Sequence, residues 1–222
     1  MLYAPRTAFA ALVAAPRWAA VMVLTFAVTV ACNVVLFRTD VGQLALLDSW
    51  ERTAAAFGRQ VDDAQYAALE EASRSDAAVY AVATSLATGP LLTVVLSLVL
   101  LGAFRAAGTS ATLRQVLAVV SHAGVVLALR QVVEAPIMYA RETLSSPITL
   151  GLIASPINEA SPISRFLGIV DLFVLWWIVV LAIGVAVLYE RSARRLVLVF
   201  VGAYLALAVL LAAVMAVTGG TV

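Results

Sequence analysis

Residues 166–180, FLGIVDLFVLWWIVV, are apolar enough to lie within a lipid bilayer, yet they include a carboxylate, Asp171, and two adjacent tryptophans. A charged side chain in the middle of a membrane-spanning helix costs roughly 2.5–3.5 kcal/mol on insertion scales, and it normally faces protein or water rather than lipid. The position of Asp171 therefore predicts a polar contact inside a bundle of membrane helices.

The composition of the whole chain agrees with a membrane protein. The 222 residues are 64% hydrophobic and 12% charged, whereas soluble domains are about half apolar and about one quarter charged. The net charge of +1 gives no electrostatic basis for binding nucleic acid. A single cysteine, Cys32, and a single histidine, His122, exclude an intramolecular disulfide and a Cys/His metal cluster, so we expect neither a metal nor a cofactor.

Five stretches reach the length of about 20 mostly apolar residues that a helix needs to cross a bilayer. They are residues 18–37, 77–104, 112–137, 166–189 and 196–217. The second contains Gly89-Pro90, which predicts a kink. The sequence therefore predicts an all-α integral membrane protein, a bundle of five transmembrane helices that forms a single domain over residues 1–222.

The orientation follows from the arginines in the short connections, because cytoplasmic loops carry an excess of basic residues. Segments 1–17, 105–111 and 190–195 hold six arginines and one acid, Glu190. The opposite connections are longer, and their arginines are diluted by many acids. This pattern predicts a cytoplasmic N-terminus and an extracytoplasmic C-terminus.

Residues 43–75 form the one sizeable polar region, which falls on the extracytoplasmic side in this orientation. Apolar residues recur there at helical spacing (Leu47, Trp50, Ala54, Phe57, Val61), and Asp62 with Gln65 is typical of a helix start. We expect a short helical pair between the first and second spans. It is either a hairpin packed on the membrane surface or a docking surface for a partner, with Trp50 and Phe57 as the anchors.

Three charges are expected at similar depth in the bundle. Arg130 lies about six residues, or ~9 Å, below the outer end of the third span, and Asp171 lies about five residues, or ~8 Å, below the outer end of the fourth. Glu134 follows Arg130 by one helical turn. These residues predict a cluster of Arg130, Glu134 and Asp171, which is either polar glue between helices or a proton or substrate site.

Other polar positions give little support for catalysis. His122 falls near the middle of the membrane beside Ser121, where a hydrogen bond between helices is a more ordinary role than catalysis. The chain has no nucleophile elbow and no glycine-rich phosphate loop. We therefore expect a protein that is not an enzyme.

The region from Ser146 to about Phe200 resembles the bacterial branch of the Yip family, membrane proteins named for interaction with Ypt/Rab GTPases. The resemblance lies in Asp171, Leu172, Phe173 and Trp176, then Leu-Ala-Ile-Gly ending at Gly184, and then an Arg/Ser-rich turn. Two Ser-Pro pairs separated by a short apolar run precede these residues. The N-terminal PRTAFAALVAAPRW is similar to the family's opening, a short helix with two prolines before the first span.

The resemblance implies a five-helix membrane fold and a non-catalytic accessory or scaffold protein of the bacterial inner membrane. Such a protein would be a subunit of an export or envelope-maintenance complex. Its partners would be the lipid bilayer and other membrane proteins, an ABC-type exporter among them, or a second copy of itself. The alternative from the residues is a small transporter or proton-coupled channel that uses Arg130, Glu134 and Asp171.

Overall fold

The structure, a computed structural model, describes residues 5–56, 59–152 and 161–218, and the regular secondary structure in these ranges is helical. The helices are α1 Pro5–Ala14, α2 Ala19–Phe37, α3 Asp40–Ala56, α4 Asp63–Ser75, α5 Ala77–Leu86, α6 Leu92–Ala106, α7 Leu113–Ala123, α8 Val125–Arg141, α9 Pro162–Ile169, α10 Leu172–Leu188 and α11 Ala193–Thr218.

Four helical stretches of the described chain are long and apolar enough to cross a membrane: Ala19–Phe37, Ala77–Ala106, Leu113–Arg141 and Ala193–Met215. A shorter apolar helix, Leu172–Leu188, lies within the fourth predicted span, residues 166–189. These helices agree with the all-helical, multi-pass membrane protein that the composition predicts.

Local sequence signals account for several helix boundaries. At Gly89-Pro90, where the sequence predicts an irregularity, α5 and α6 are joined by a π-helical turn over Ala87–Leu91, because a proline inside a helix lacks the N–H for the regular hydrogen bond. The helix start predicted at Asp62 is confirmed, since the Asp62 carboxylate accepts a hydrogen bond of 2.8 Å from the backbone N–H of Gln65.

The structure differs from the sequence prediction in the fourth span, because residues 166–189 do not form one helix. Helix α9 ends at Ile169, Val170 is extended, and α10 begins at Leu172. The segment before α9 returns to this break. The N–H of Leu150 donates to the carbonyl of Val170 (2.9 Å), and the N–H of Leu172 donates to the carbonyl of Ile148 (3.1 Å). Asp171 therefore lies in a break between helices rather than on a helix face.

The chain divides into two compact units. The first unit consists of Met1–Thr29, Thr84–Arg130 and Phe173–Ala203. Its buried centre is apolar and draws on α1, α6, α7, α8 and α10; the members with the least exposure include Phe9, Val116, Val119, Val126 and Val185. Helix α1 packs on α7, where the Gln115 side-chain amide donates to the carbonyl of Val13 (3.4 Å).

The second unit consists of Val30–Ala83, Gln131–Leu172 and Tyr204–Val222. The polar helices α3 and α4, predicted as a helical pair, pack on each other there. A small apolar cluster joins the ends of α2 and α5 through Leu36, Phe37, Ala77 and Ala81. The same unit also buries polar side chains, among them Glu134, Arg165 and Asp171.

Candidate functional site

Two buried carboxyl groups meet in the second unit. Glu134 comes from α8 and is 1% exposed, and Asp171 comes from the break before α10 and is 4% exposed. Between them lies Ser146, from the loop after α8. Its Oγ is 2.6 Å from Glu134 Oε1 and 2.9 Å from Asp171 Oδ2. The serine hydroxyl thus bridges two acids that are far apart in sequence.

The proton count of this bridge has a chemical consequence. A serine hydroxyl has one proton to donate, although it can accept two hydrogen bonds. Both contacts of the Ser146 Oγ can therefore be hydrogen bonds at the same time only when one of the two carboxyl groups also carries a proton. The arrangement can hold a proton, and it also ties the loop to the middle of α8 and to the break before α10.

The backbone on both sides of Asp171 also makes hydrogen bonds. The hydroxyl of Tyr204, on α11, accepts from the N–H of Asp171 (3.1 Å) and donates to the carbonyl of Ile169 (3.0 Å). Thr149 and Asp171 also form an isolated antiparallel bridge. Because buried backbone groups need hydrogen-bond partners, these contacts satisfy the N–H and carbonyl groups that the break leaves outside regular helix.

Several residues of this region carry no sequence signal strong enough to mark them as site residues. Ser146 belongs to the first Ser-Pro pair of the family resemblance, which was the one signal available for it. Tyr204 is a single tyrosine in an apolar helix and carries no pattern. Arg165 is buried, and its Nη1 donates to the carbonyl of Met215 (2.8 Å); the sequence offered no sign of that contact.

The predicted cluster is brought together in part. Glu134 and Asp171 meet through Ser146 in the second unit. Arg130 lies one turn before Glu134 in α8 but belongs to the first unit. A contact from Arg130 to either acid therefore stays a prediction.

The histidine makes a hydrogen bond different from the expected one. His122 Nδ1 lies 2.8 Å from the carbonyl oxygen of Ala118, one turn back in the same helix. A carbonyl only accepts, so Nδ1 donates in this contact. The hydrogen bond that the structure describes for this ring is thus within its own helix rather than between helices.

The two residues predicted as partner anchors differ in what the structure shows of them. Trp50 is half-buried, and its ring packs edge-on against Tyr80 with the ring centroids 5.4 Å apart. Phe57 lies outside the described residues. The Tyr80 contact gives Trp50 a role within the second unit.

The motif residues beyond Asp171 serve packing at the start and middle of α10. Leu172 is exposed, whereas Phe173 and Trp176 pack together with ring centroids 5.9 Å apart. A methyl group added to Gly184 would lie 2.7 Å from Val119 Cγ1 and 2.9 Å from the ring of Phe9. Gly184 therefore permits a close approach that any larger residue would prevent.

The described part of the chain contains no group of three or more His, Cys, Asp or Glu side chains placed to hold a metal ion. In comparisons with known proteins, the family model of the Yip1 domain matches residues 1–215. No curated protein and no solved structure matches the chain.

Proposed function

The chain belongs to the Yip1 domain family, and from that premise we propose that it is an accessory or scaffold protein of a bacterial inner membrane. It would hold another membrane protein in an export or envelope-maintenance complex. Proteins of this family are generally non-catalytic membrane proteins. The family thus gives the class of protein, and the role in a complex is our proposal.

The observation that carries the proposal is the engagement of both buried acids in holding the fold. Ser146 contacts Glu134 and Asp171, and Tyr204 holds the backbone on both sides of the break. Side chains placed in this way fix a loop and two helix ends. A scaffold needs such a rigid frame, because a binding surface that is ordered in advance loses less entropy when a partner docks.

The helical pair α3–α4 is the surface that we propose for the partner. It carries two large apolar side chains that are exposed, Leu44 at 61% and Tyr66 at 40%. Large exposed side chains, aromatic ones above all, serve as anchors at many protein contact sites. An ABC-type exporter would meet this surface outside the membrane.

The proposal is tested by affinity purification in mild detergent, with identification of the chains that co-elute. We expect one membrane protein to co-elute in a fixed ratio, and we expect Leu44→Asp and Tyr66→Asp to reduce its recovery. Glu71→Gln, an exposed polar change on the same helical pair, is the matched control and should leave recovery unchanged. A chain that elutes alone, or variants that bind as the wild type does, would contradict the proposal.

The orientation is part of the proposal, with the N-terminus in the cytoplasm and α3–α4 outside. Ser75 and Ser192 are both exposed and suit cysteine labelling, in a Cys32→Ser background. An impermeant thiol reagent added outside intact cells should label Ser75→Cys and not Ser192→Cys. The opposite pattern would reverse the orientation.

A second candidate function is a proton-coupled transporter or channel that uses Arg130, Glu134 and Asp171. The observation in its favour is the single serine proton between two carboxyl oxygens. This candidate predicts that Asp171→Asn, which keeps the shape of the side chain, abolishes transport without lowering the melting temperature. The scaffold proposal predicts a small loss of stability and no transport to lose.

A further inference from the structure

An apolar groove of about 530 Å³ lies in the second unit between α2 and α8. Its walls are small and branched apolar side chains (Ala31, Val35, Leu36, Val132, Ala135, Pro136). This volume falls within the range of about 300–1,000 Å³ that is usual for ligand sites. The groove is open to its surroundings, since Val35 is 69% exposed and Val132 is 47% exposed.

The spacing of the two walls is fixed by a side-chain hydrogen bond. The Gln131 amide nitrogen, on α8, donates to the amide oxygen of Asn33, on α2, at 2.6 Å. Both residues lie next to groove residues in sequence. Because a hydrogen bond between helices sets their relative position, the gap beside it is a built feature.

The lining favours a hydrocarbon occupant. Thr39 adds a hydroxyl, but this group donates to the carbonyl of Leu36 (2.6 Å) and accepts from the N–H of Gly42 (3.0 Å). Its hydrogen-bonding capacity is therefore used within the chain. An occupant gains mainly by apolar contact, as a lipid chain does.

The size and place of the groove match one leaflet of a bilayer. Both walls belong to stretches that are long and apolar enough to span a membrane. From Val132 to Tyr139 the wall on α8 runs seven residues, or about 10 Å at 1.5 Å per residue. One leaflet contributes about 15 Å of hydrocarbon. Tyr139, 50% exposed, stands at the end where an interfacial tyrosine is favoured.

The same end of the groove carries balanced charge. Arg38 and Asp40 flank the groove residue Thr39, and Arg141 and Glu142 follow Tyr139 closely in sequence; all four side chains are exposed. Two cations and two anions suit a headgroup that has both a phosphate and an ammonium group, by charge complementarity. We propose that the groove binds one zwitterionic phospholipid, with an acyl chain between α2 and α8 and the headgroup at this charged end.

The direct test uses the full chain in nanodiscs of phosphatidylcholine that contain a trace of phosphatidylcholine with a photoreactive acyl chain. After illumination, the labelled peptides are mapped by mass spectrometry. We expect labelling to concentrate in residues 31–39 and 132–139. Label spread evenly over exposed apolar faces, such as that of α11 with Leu198 at 64%, would overturn the proposal.

A matched pair of variants tests the groove itself. Ala31→Trp fills the groove, whereas Leu24→Trp adds the same ring to an exposed position of α2 outside it. In native mass spectrometry, the indole ring should exclude the acyl chain from the groove and remove its packing contacts, so phosphatidylcholine retention should fall several-fold for Ala31→Trp. Leu24→Trp should retain lipid as the wild type does, and equal retention by both variants would overturn the proposal.

Two further outcomes separate other occupants. Stronger retention of phosphatidylglycerol than of phosphatidylcholine would overturn the headgroup assignment, because it would require a net basic site. Cys32 lines the groove and is the single cysteine of the chain. A disulfide-linked dimer formed through Cys32 on oxidation of membranes would show a second copy at this face and overturn the lipid assignment.

Discussion

The buried centre of the first unit is made of apolar side chains that meet at close distance, with Phe9 and Val119 packed over Gly184. The second unit combines a small apolar cluster with a buried hydrogen-bonded group, in which Ser146 lies between Glu134 and Asp171. Both arrangements belong to the same chain. In a bilayer, apolar side chains gain little by leaving lipid, so helices associate through close packing and polar contacts. The first unit relies more on close packing, and the second unit relies more on polar contacts.

The difference predicts an order of effects. Measured hydrogen bonds between membrane helices contribute about 0.6 kcal/mol on average and about 1.7 kcal/mol at most. Removal of a large buried side chain leaves a cavity and costs about 3–5 kcal/mol. Changes to the shape of the first unit should therefore destabilise the protein more than removal of a polar group in the second.

The largest expected effect is that of Phe9→Ala. Phe9 has 0% exposure and packs over Gly184, so its loss should lower the free energy of unfolding by about 3–5 kcal/mol. Denaturant unfolding in detergent measures this change. Phe9→Leu fills part of the space and should cost less. A loss below about 1 kcal/mol for Phe9→Ala would show that α1 adds little to the first unit.

The next effect is that of Gly184→Ala. The new methyl group would overlap Val119 and Phe9, and such overpacking costs about 1–3 kcal/mol. Gly102→Ala is the matched control, because an added methyl group at Gly102 meets nothing within 4 Å. That control should be neutral or stabilising by up to about 1 kcal/mol through helix propensity. Equal melting temperatures for the two variants would refute the close approach at Gly184.

A smaller loss is expected for Ser146→Ala in the second unit. The change removes the hydroxyl that contacts two buried acids, and should cost about 1 kcal/mol. Ser145→Ala, at the exposed neighbouring position, is the control and should have no effect. If Ser146→Ala destabilised the protein as much as Phe9→Ala does, the ranking of packing above hydrogen bonding would be wrong.

The smallest effect is a gain, and it should be the same in both units. Glu190 in the first unit and Glu142 in the second have positive φ values of 52° and 53° after a helix end. Glycine avoids the steric cost of that conformation, about 1 kcal/mol, but its larger loss of backbone entropy on folding offsets part of this gain. Glu190→Gly and Glu142→Gly should each raise the melting temperature slightly. Unequal gains would mean that the glutamate side chains make contacts of their own.

Composition and local pattern were sufficient to predict the four long apolar helical stretches and several of their boundaries. The π-helical turn at Pro90 and the cap at Asp62 follow from the chemistry of single residues. The break at Val170-Asp171 could not be predicted, because the flanking residues are all compatible with a helix. It depends on backbone hydrogen bonds with Ile148, which accepts, and Leu150, which donates; both lie about twenty residues earlier.

The candidate site, like the fold, could be predicted from the sequence only in part. Glu134 and Asp171 could be singled out from the sequence because a charge within an apolar span is costly and needs a polar partner. Ser146 and Tyr204 could not, because Ser146 is one of several hydroxyl residues in a polar loop and Tyr204 is a single hydroxyl in an apolar helix. Their importance comes from tertiary contacts to the break, which depend on residues far away in the chain.

The central claim is that the buried acids hold the fold of a non-catalytic protein, and proton flux tests it most directly. The purified chain is reconstituted in liposomes with a pH gradient, and an internal pH-sensitive dye reports the decay. We predict a decay rate equal to that of empty liposomes for both the wild type and Asp171→Asn. A faster decay with the wild type that Asp171→Asn abolishes would contradict the account and establish the acids as a proton path.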